Sequence, residues 1–211
     1  MVEGPAPTSG DGTPAGDAAG KTEWRARILA SRRTLDDETR SREAHALAEA
    51  VERLGPVGTL ATYAPLPDEP GSGSPASPDS FVAAATRAAR RVLLPVTPPA
   101  GPLSWSVYEG PRSVREGRFG IVEPIGPVLP PSELARADVV LVPALAVDLR
   151  GVRLGRGAGY YDRTLGHARP DAMLVAVVRD DDVVNELPED PYDIRVGWIL
   201  TPGRGPVRVP E

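Results

Sequence analysis

ADVVLVPALAVDLRGVRLGRGAGYYDRTLGHA, residues 137–168, decides the fold. Its first part, 137–148, is a continuous apolar, β-branched run and reads as a strand buried on both faces. Glycines stand at 155, 157 and 159, and the segment 159–168 then reads as a helix. Strand, glycine loop, helix is the order in which backbone N–H groups can be aimed at an anion. Arg153, Arg156 and Arg163 add positive charge on or beside the loop. Two readings stay open here. The loop is a phosphate cradle, or it is a tight left-handed connection with solvated arginines.

Outward from this stretch the same alternation repeats. Short apolar runs at 57–65, 91–96, 173–178 and 197–202 read as strands, and 102–108 as an edge strand. The stretch 21–54 has helical periodicity in two pieces. Asp36 caps the second, and Gly55-Pro56 ends it. A further helix is expected at 80–90. Between them lie a Pro/Gly/Ser-rich loop at 66–80 and a loop with a short extended core at 115–127. Strands alternating with helices predict an α/β fold with a mostly parallel, doubly covered sheet. Residues 1–20 are rich in Gly, Pro, Ala and Asp and are expected to form a disordered tail, leaving 21–211 as a single domain.

Composition narrows the chemistry. The chain has 211 residues and a net charge of −5, a balance that argues against a nucleic-acid binder. It has no cysteine, which removes disulfides, thiol nucleophiles and thiolate metal sites. No apolar run approaches the roughly 20 residues that span a bilayer, and the start lacks a secretory pattern. A cytoplasmic protein without a membrane partner is expected. Of 24 basic residues, Lys21 alone is a lysine. A compact ammonium is not interchangeable with a planar guanidinium, so that position is a candidate site.

The loop itself excludes two familiar nucleotide cradles. GRGAG is not G-x-G-x-x-G, and no G-x-x-x-x-G-K-[ST] occurs in the chain. Asp162 stands where a carboxylate could share a magnesium ion with phosphates. It could equally form a salt bridge or favour a helix N-terminus. Asp148, at the end of the strand, is the next carboxylate available for a metal.

The segment VPALAVDLRGVRLGRGAGYYDRTL, 142–165, resembles the signature of the 5-formyltetrahydrofolate cyclo-ligase (5,10-methenyltetrahydrofolate synthetase) family. The resemblance extends to K-x-x-x-R at Lys21 and Arg25, to Y-x-P-L-x-x-E ending at Glu69, to F-G-I-x-E-P at 119–124, and to D-x-x-V-x-x-I-x-T-P at 193–202. It departs in three places. Glu69-Pro70-Gly71-Ser72 replaces an acidic-Thr pair after the glutamate, Ala158 stands where relatives have Gly or Lys, and Tyr192 replaces a histidine.

The resemblance implies a three-layer α/β domain like the ribose-5-phosphate isomerase and CoA-transferase group. It also implies an ATP- and Mg²⁺-dependent cyclisation of 5-formyltetrahydrofolate to 5,10-methenyltetrahydrofolate, with release of ADP and phosphate. Phosphorylation of the formyl oxygen gives an imidate phosphate. N10 then attacks the formyl carbon, and phosphate leaves. By the same likeness Lys21, Arg25, Arg153, Leu154, Gly155, Arg156, Gly157, Ala158, Gly159, Tyr160 and Tyr161 hold ATP. Arg25, Glu69, Phe119, Arg156, Gly157, Ala158, Gly159 and Tyr160 contact the folate, Asp162 and Asp193 hold magnesium, and Lys21 and Arg156 are the catalytic pair. Trp105 could line the pterin pocket or belong to the core. A monomer acting on two small molecules is expected. The competing readings are a sugar-phosphate or CoA-utilising enzyme on the same fold, and a non-catalytic folate or nucleotide binder.

Overall fold

The computed structural model describes residues 15–73, 77, 80–117 and 122–210. Two helices open it, α1 (Ala15–Arg33) and α2 (Asp37–Glu52). Then come β1 (Val57–Ala61), α3 (Phe81–Ala88), β2 (Ala89–Val96) and β3 (Ser104–Val107). A small hairpin follows, β4 (Val114–Glu116) and β5 (Val122–Pro124). The central part holds β6 (Val139–Pro143), β7 (Ala146–Asp148), β8 (Arg153–Leu154) and α4 (Tyr160–Leu165). The chain continues through β9 (Met173–Val177), β10 (Val183–Val184), β11 (Trp198–Thr201) and β12 (Gly205–Arg208).

Seven strands form the main sheet in the order β12-β11-β9-β6-β1-β2-β3. The five inner strands are parallel, and β3 and β12 close the edges antiparallel. Period-two alternation sends β6 side chains to both faces. Val139 and Leu141 join α2 and α3 in one cluster, around Leu47, Val51 and Phe81. Val140 and Val142 face the other way, onto Trp105, Leu134 and Leu165 of α4. Both faces are therefore covered, which is why the strand reads as unbroken apolar sequence. A second sheet, β10-β7-β8, lies beyond the main one, and Ile28 of α1 packs on it with Val152 and Leu154. This is the three-layer α/β arrangement with a mostly parallel sheet.

Asp36 caps α2 as its sequence suggests, its carboxylate accepting from the N–H of Thr39 at 2.6 Å. Three expectations are corrected. The first helix begins at Ala15, so residues 15–20 are helical rather than part of a disordered tail; residues 1–14 lie outside the described residues. The single strand expected at 137–148 is two strands, in two sheets. Pro143 has no N–H to continue the ladder. Next to it, the guanidinium of the buried Arg32 takes the carbonyls of Ala144 and Leu145, at 3.1 and 3.0 Å. Finally, the glycine loop does not follow that strand directly. The chain turns back through β8, antiparallel to β7, and enters the loop from there.

Candidate active site

From β1 the chain moves to β2 on one side, whereas β6 lies on the other side of β1. Strand order reverses there, and open parallel sheets bind ligands outside the carboxyl ends of the strands at such a point. A cavity of about 630 Å³ opens at that place. The ends of the three strands reach it through Tyr63 and Ala64, Pro95 and Thr97, and Pro143 and Ala144. Of the residues that the resemblance assigns to ATP, folate and magnesium, all but one line it: Lys21 and Arg25 from α1, Glu69, the run 153–162, and Asp193. The exception, Phe119, lies outside the described residues.

Lys21 is buried, 6 % exposed, and its ammonium donates to Asp190 Oδ2 at 2.7 Å and Asp193 Oδ2 at 2.6 Å. Burial alone would lower its pKa; the hydrogen bonds and charges of the two aspartates outweigh this and raise it, so the group stays charged. Asp193 is fixed in turn by the N–H of Asp190 at 2.8 Å. Asp190 was missed in the sequence; its only signal is its spacing from Asp193. One helical turn along α1, Arg25 donates through Nε to the carbonyl of Gly155 at 3.0 Å, tying the helix to the glycine loop.

Glu69 owes its position to a turn that the departure from the family pattern creates. Pro70-Gly71 favours a tight turn whose third residue has positive φ. Gly71 has φ 81°, and Ser72 N–H donates to Glu69 O at 3.1 Å. The Glu69 carboxylate also accepts from Leu66 N–H at 2.9 Å and from Arg156 Nε at 3.0 Å. Arg156 bonds Asp68 with its other nitrogen. The glycine loop and the Glu69 turn thus meet across the mouth of the cavity.

The loop itself is open. Among the described residues, the backbone N–H groups of 155–159 meet no protein acceptor. Gly157 and Gly159 have φ 103° and 67°, conformations that an L side chain resists. Arg163 does not face the cavity; it holds the loop from behind, through the carbonyls of Ala158 (2.9 Å) and Gly101 (3.2 Å). Arg153 pairs with Asp162. That is the salt-bridge alternative for Asp162, although its side chain still borders the cavity.

Two other candidates resolve as structural. Asp148 is fully buried. Its carboxylate accepts from the N–H groups of Arg150, Val152 and Leu187 and from the Arg150 guanidinium, all within 3.0 Å. No lone pair is left for a metal, and the group pins the β7–β8 turn instead. Trp105 is 0 % exposed in the core beneath α4. The described residues contain no cluster of three or more metal-ligating side chains and no helix long and apolar enough to cross a membrane.

The sequence model of the 5-formyltetrahydrofolate cyclo-ligase family matches residues 17–202. The chain is 42 % identical to a 5-formyltetrahydrofolate cyclo-ligase of Mycolicibacterium smegmatis, over 88 % of this chain and 95 % of that one. It is 37 % identical to the Escherichia coli cyclo-ligase over 56 % of this chain and 66 % of the other. Among solved structures it is similar to the Aquifex aeolicus 5,10-methenyltetrahydrofolate synthetase. The TM-score there is 0.71 at 27 % identity, covering 90 % of this chain and 93 % of that one. A synthetase from Mycoplasma pneumoniae shares the fold, with TM-score 0.64 at 19 % identity over 85 % and 96 % of the two chains.

Proposed function

The chain belongs to the 5-formyltetrahydrofolate cyclo-ligase family, and from that we propose that it converts 5-formyltetrahydrofolate to 5,10-methenyltetrahydrofolate in this cavity, using ATP and releasing ADP and phosphate. The observation that carries the reading is that residues 155–159, whose backbone N–H groups meet no protein acceptor among the described residues, line the same cavity as Lys21, Arg25 and Glu69. Phosphoryl transfer needs positioning and charge neutralisation more than covalent groups. The loop N–H groups and the Lys21 ammonium supply those to the triphosphate, and Arg25 holds the loop to α1. Glu69 accepts hydrogen bonds from the pterin N–H groups. Arg156, bridged to Asp68 and Glu69, stands between the two substrates and neutralises the transferred phosphoryl group.

Magnesium is part of this reading. It is usually held by one or two carboxylates plus phosphate and water oxygens; Asp162 and Asp193 border the cavity, and the described residues gather no cluster of three metal-ligating side chains. That donor set suits an ion arriving on the nucleotide. Bound there, it would neutralise charge on the phosphates. The protein would act as a cytoplasmic monomer, one domain that includes the whole of α1.

The test is the absorbance band of the conjugated methenyl product, followed with folinate, ATP and magnesium present and with each omitted in turn. Product must require all three. A rate that survives chelation overturns the metal assignment, and no product with all three overturns the function. Asp162→Asn and Asp193→Asn should each shift the magnesium titration to higher concentration with the fold retained.

The cradle has its own test, at Gly155. Gly157 and Gly159 confound backbone strain with ligand space, since both have positive φ. Gly155 does not: a Cβ there would meet only Arg153 Nη1, at 3.7 Å. Gly155→Ala should therefore keep its melting temperature and lose about tenfold or more in ATP affinity, the order expected when an added Cβ holds a phosphate oxygen away from a charge-assisted backbone hydrogen bond. Unchanged ATP affinity would return the loop to the plain-turn reading.

A further inference from the structure

Lys21, Arg25, Ile28 and Arg32 follow one another along α1 at spacings of four, three and four, so they share one face of the helix. The first two stand in the cavity wall. Ile28 packs with Leu145, Val152 and Leu154 on the second sheet. Arg32 lies about 16 Å along the axis from Lys21. It is 1 % exposed and does not line the cavity.

The Arg32 guanidinium reaches three parts of the chain. Nε and Nη2 donate to the carboxylate of the buried Asp182, at 3.3 and 2.9 Å. Nη2 also meets the carbonyls of Ala144 and Leu145, at 3.1 and 3.0 Å. Nη1 donates to the carbonyl of Asp68 at 3.3 Å. Ala144 and Leu145 line the cavity just past β6, and Asp68 immediately precedes Glu69. Arg40 strengthens the same joint, donating to Arg32 O at 2.6 Å and to Pro67 O at 3.4 Å.

Cohesion alone does not account for a guanidinium in this place. A buried ion pair is often no more stabilising than an apolar pair of equal volume, because both charges must leave water. An apolar pair, however, cannot hold carbonyls of two separate segments to one rigid fork. The planar donor set fixes directions as well as distances.

We infer that Arg32 is a positioning residue for the reaction: its guanidinium locks the helix that carries Lys21 and Arg25 to the strand end at 144–145 and to the turn that carries Glu69, and so sets the register between the two substrates. The inference rests on the nucleotide and folate assignments proposed above. It extends them to a residue that touches neither substrate and that the cyclo-ligase resemblance did not mark. Transfer between two bound reactants depends on their alignment, and a displacement of roughly 1 Å caused by a distant change can cost about a hundredfold in rate. The signature of lost register is a fall in kcat with binding retained, since each substrate keeps its own contacts.

The experiment uses Arg32→Lys and Asp182→Asn in the full chain. Lysine keeps a positive charge beside Asp182 but ends in a single nitrogen, which cannot serve both carbonyl-bearing segments. Asparagine keeps an acceptor for Arg32 and removes the ion pair. Conversion of folinate with ATP and magnesium is followed below the melting temperature of each variant and expressed per folded molecule. Arg32→Lys should lose about tenfold or more in kcat, with the KM for folinate and for ATP each within about threefold of wild type. Asp182→Asn should keep the wild-type kcat. An Arg32→Lys enzyme with wild-type kcat overturns the inference and leaves Arg32 a stability residue, as does a loss confined to KM. An equal fall in kcat for Asp182→Asn overturns it as well, by assigning the effect to the ion pair. If Arg32→Lys does not fold, the uncharged double variant Arg32→Gln with Asp182→Asn takes its place under the same expectation, and failure of both to fold overturns the inference by making Arg32 a folding residue. A wild-type chain that forms no product overturns the parent reading and this one with it, whereas wild-type turnover with variants that match it overturns this one alone.

Discussion

Lys21→Ala is expected to weaken the use of ATP by roughly 2–4 kcal/mol in kcat/KM, the range seen when a donor aimed at developing charge is removed. The ammonium is buried and held between Asp190 and Asp193. Its loss removes a positive charge from the phosphate site and leaves two carboxylates facing each other. Anion affinity should suffer twice, once from the missing donor and once from added repulsion. Lys21→Arg should not restore the rate, because a planar fork cannot occupy a pocket shaped for a compact ammonium with both aspartates at 2.6–2.7 Å. The pH dependence has a definite sign. Lys21 has a raised pKa in the folded chain, so its contribution to stability is complete below its ordinary value of 10.5 and is lost as pH rises through the folded value. Lys21 should thus contribute no pH dependence near neutrality. An alanine variant with the wild-type kcat/KM for ATP would make the only lysine of the chain incidental to catalysis.

Asp148→Ala should be the most destabilising single change made outside the cavity wall. The carboxylate is 0 % exposed and satisfies three backbone N–H groups, of which those of Val152 and Leu187 are buried. Each buried donor left without a partner costs about 1–3 kcal/mol, so a total of roughly 3 kcal/mol or more is expected. For a domain of this size that corresponds to about 6–12 °C in melting temperature. The effect on turnover should follow the folded fraction alone, since residues 146–152 of the β7–β8 turn do not line the cavity. Normal stability with lost magnesium dependence would reverse the assignment and make Asp148 a metal ligand after all. Asp148→Asn separates the causes further. It preserves the shape, but its amide presents two donors where the site offers only donors.

Much of this could be read from the sequence. The strand 139–143 is apolar at every position because both of its faces are covered, and covered faces leave a local mark. Asp36 declared the start of α2 through a side chain three residues from the N–H it caps. The glycine run marked a backbone with positive φ, and the length of the motif around it carried the family. These features are local, and local geometry is what periodicity and turn chemistry encode.

Only the tertiary structure settled the rest. The strand 137–148 breaks in two because Arg32, more than a hundred residues upstream, delivers its guanidinium to two of its carbonyls. Asp148 and Asp162 look alike in sequence as carboxylates near a loop. One is saturated by backbone donors gathered from residues 150–187, and the other borders the cavity. Asp190 gained meaning only when α1 brought Lys21 to it across 169 positions. The decisive partners Arg32, Leu187 and Lys21 lie 39 to 169 positions from the groups they bond. Such pairings are fixed by the packing of the layers, and no local window of the chain contains both partners.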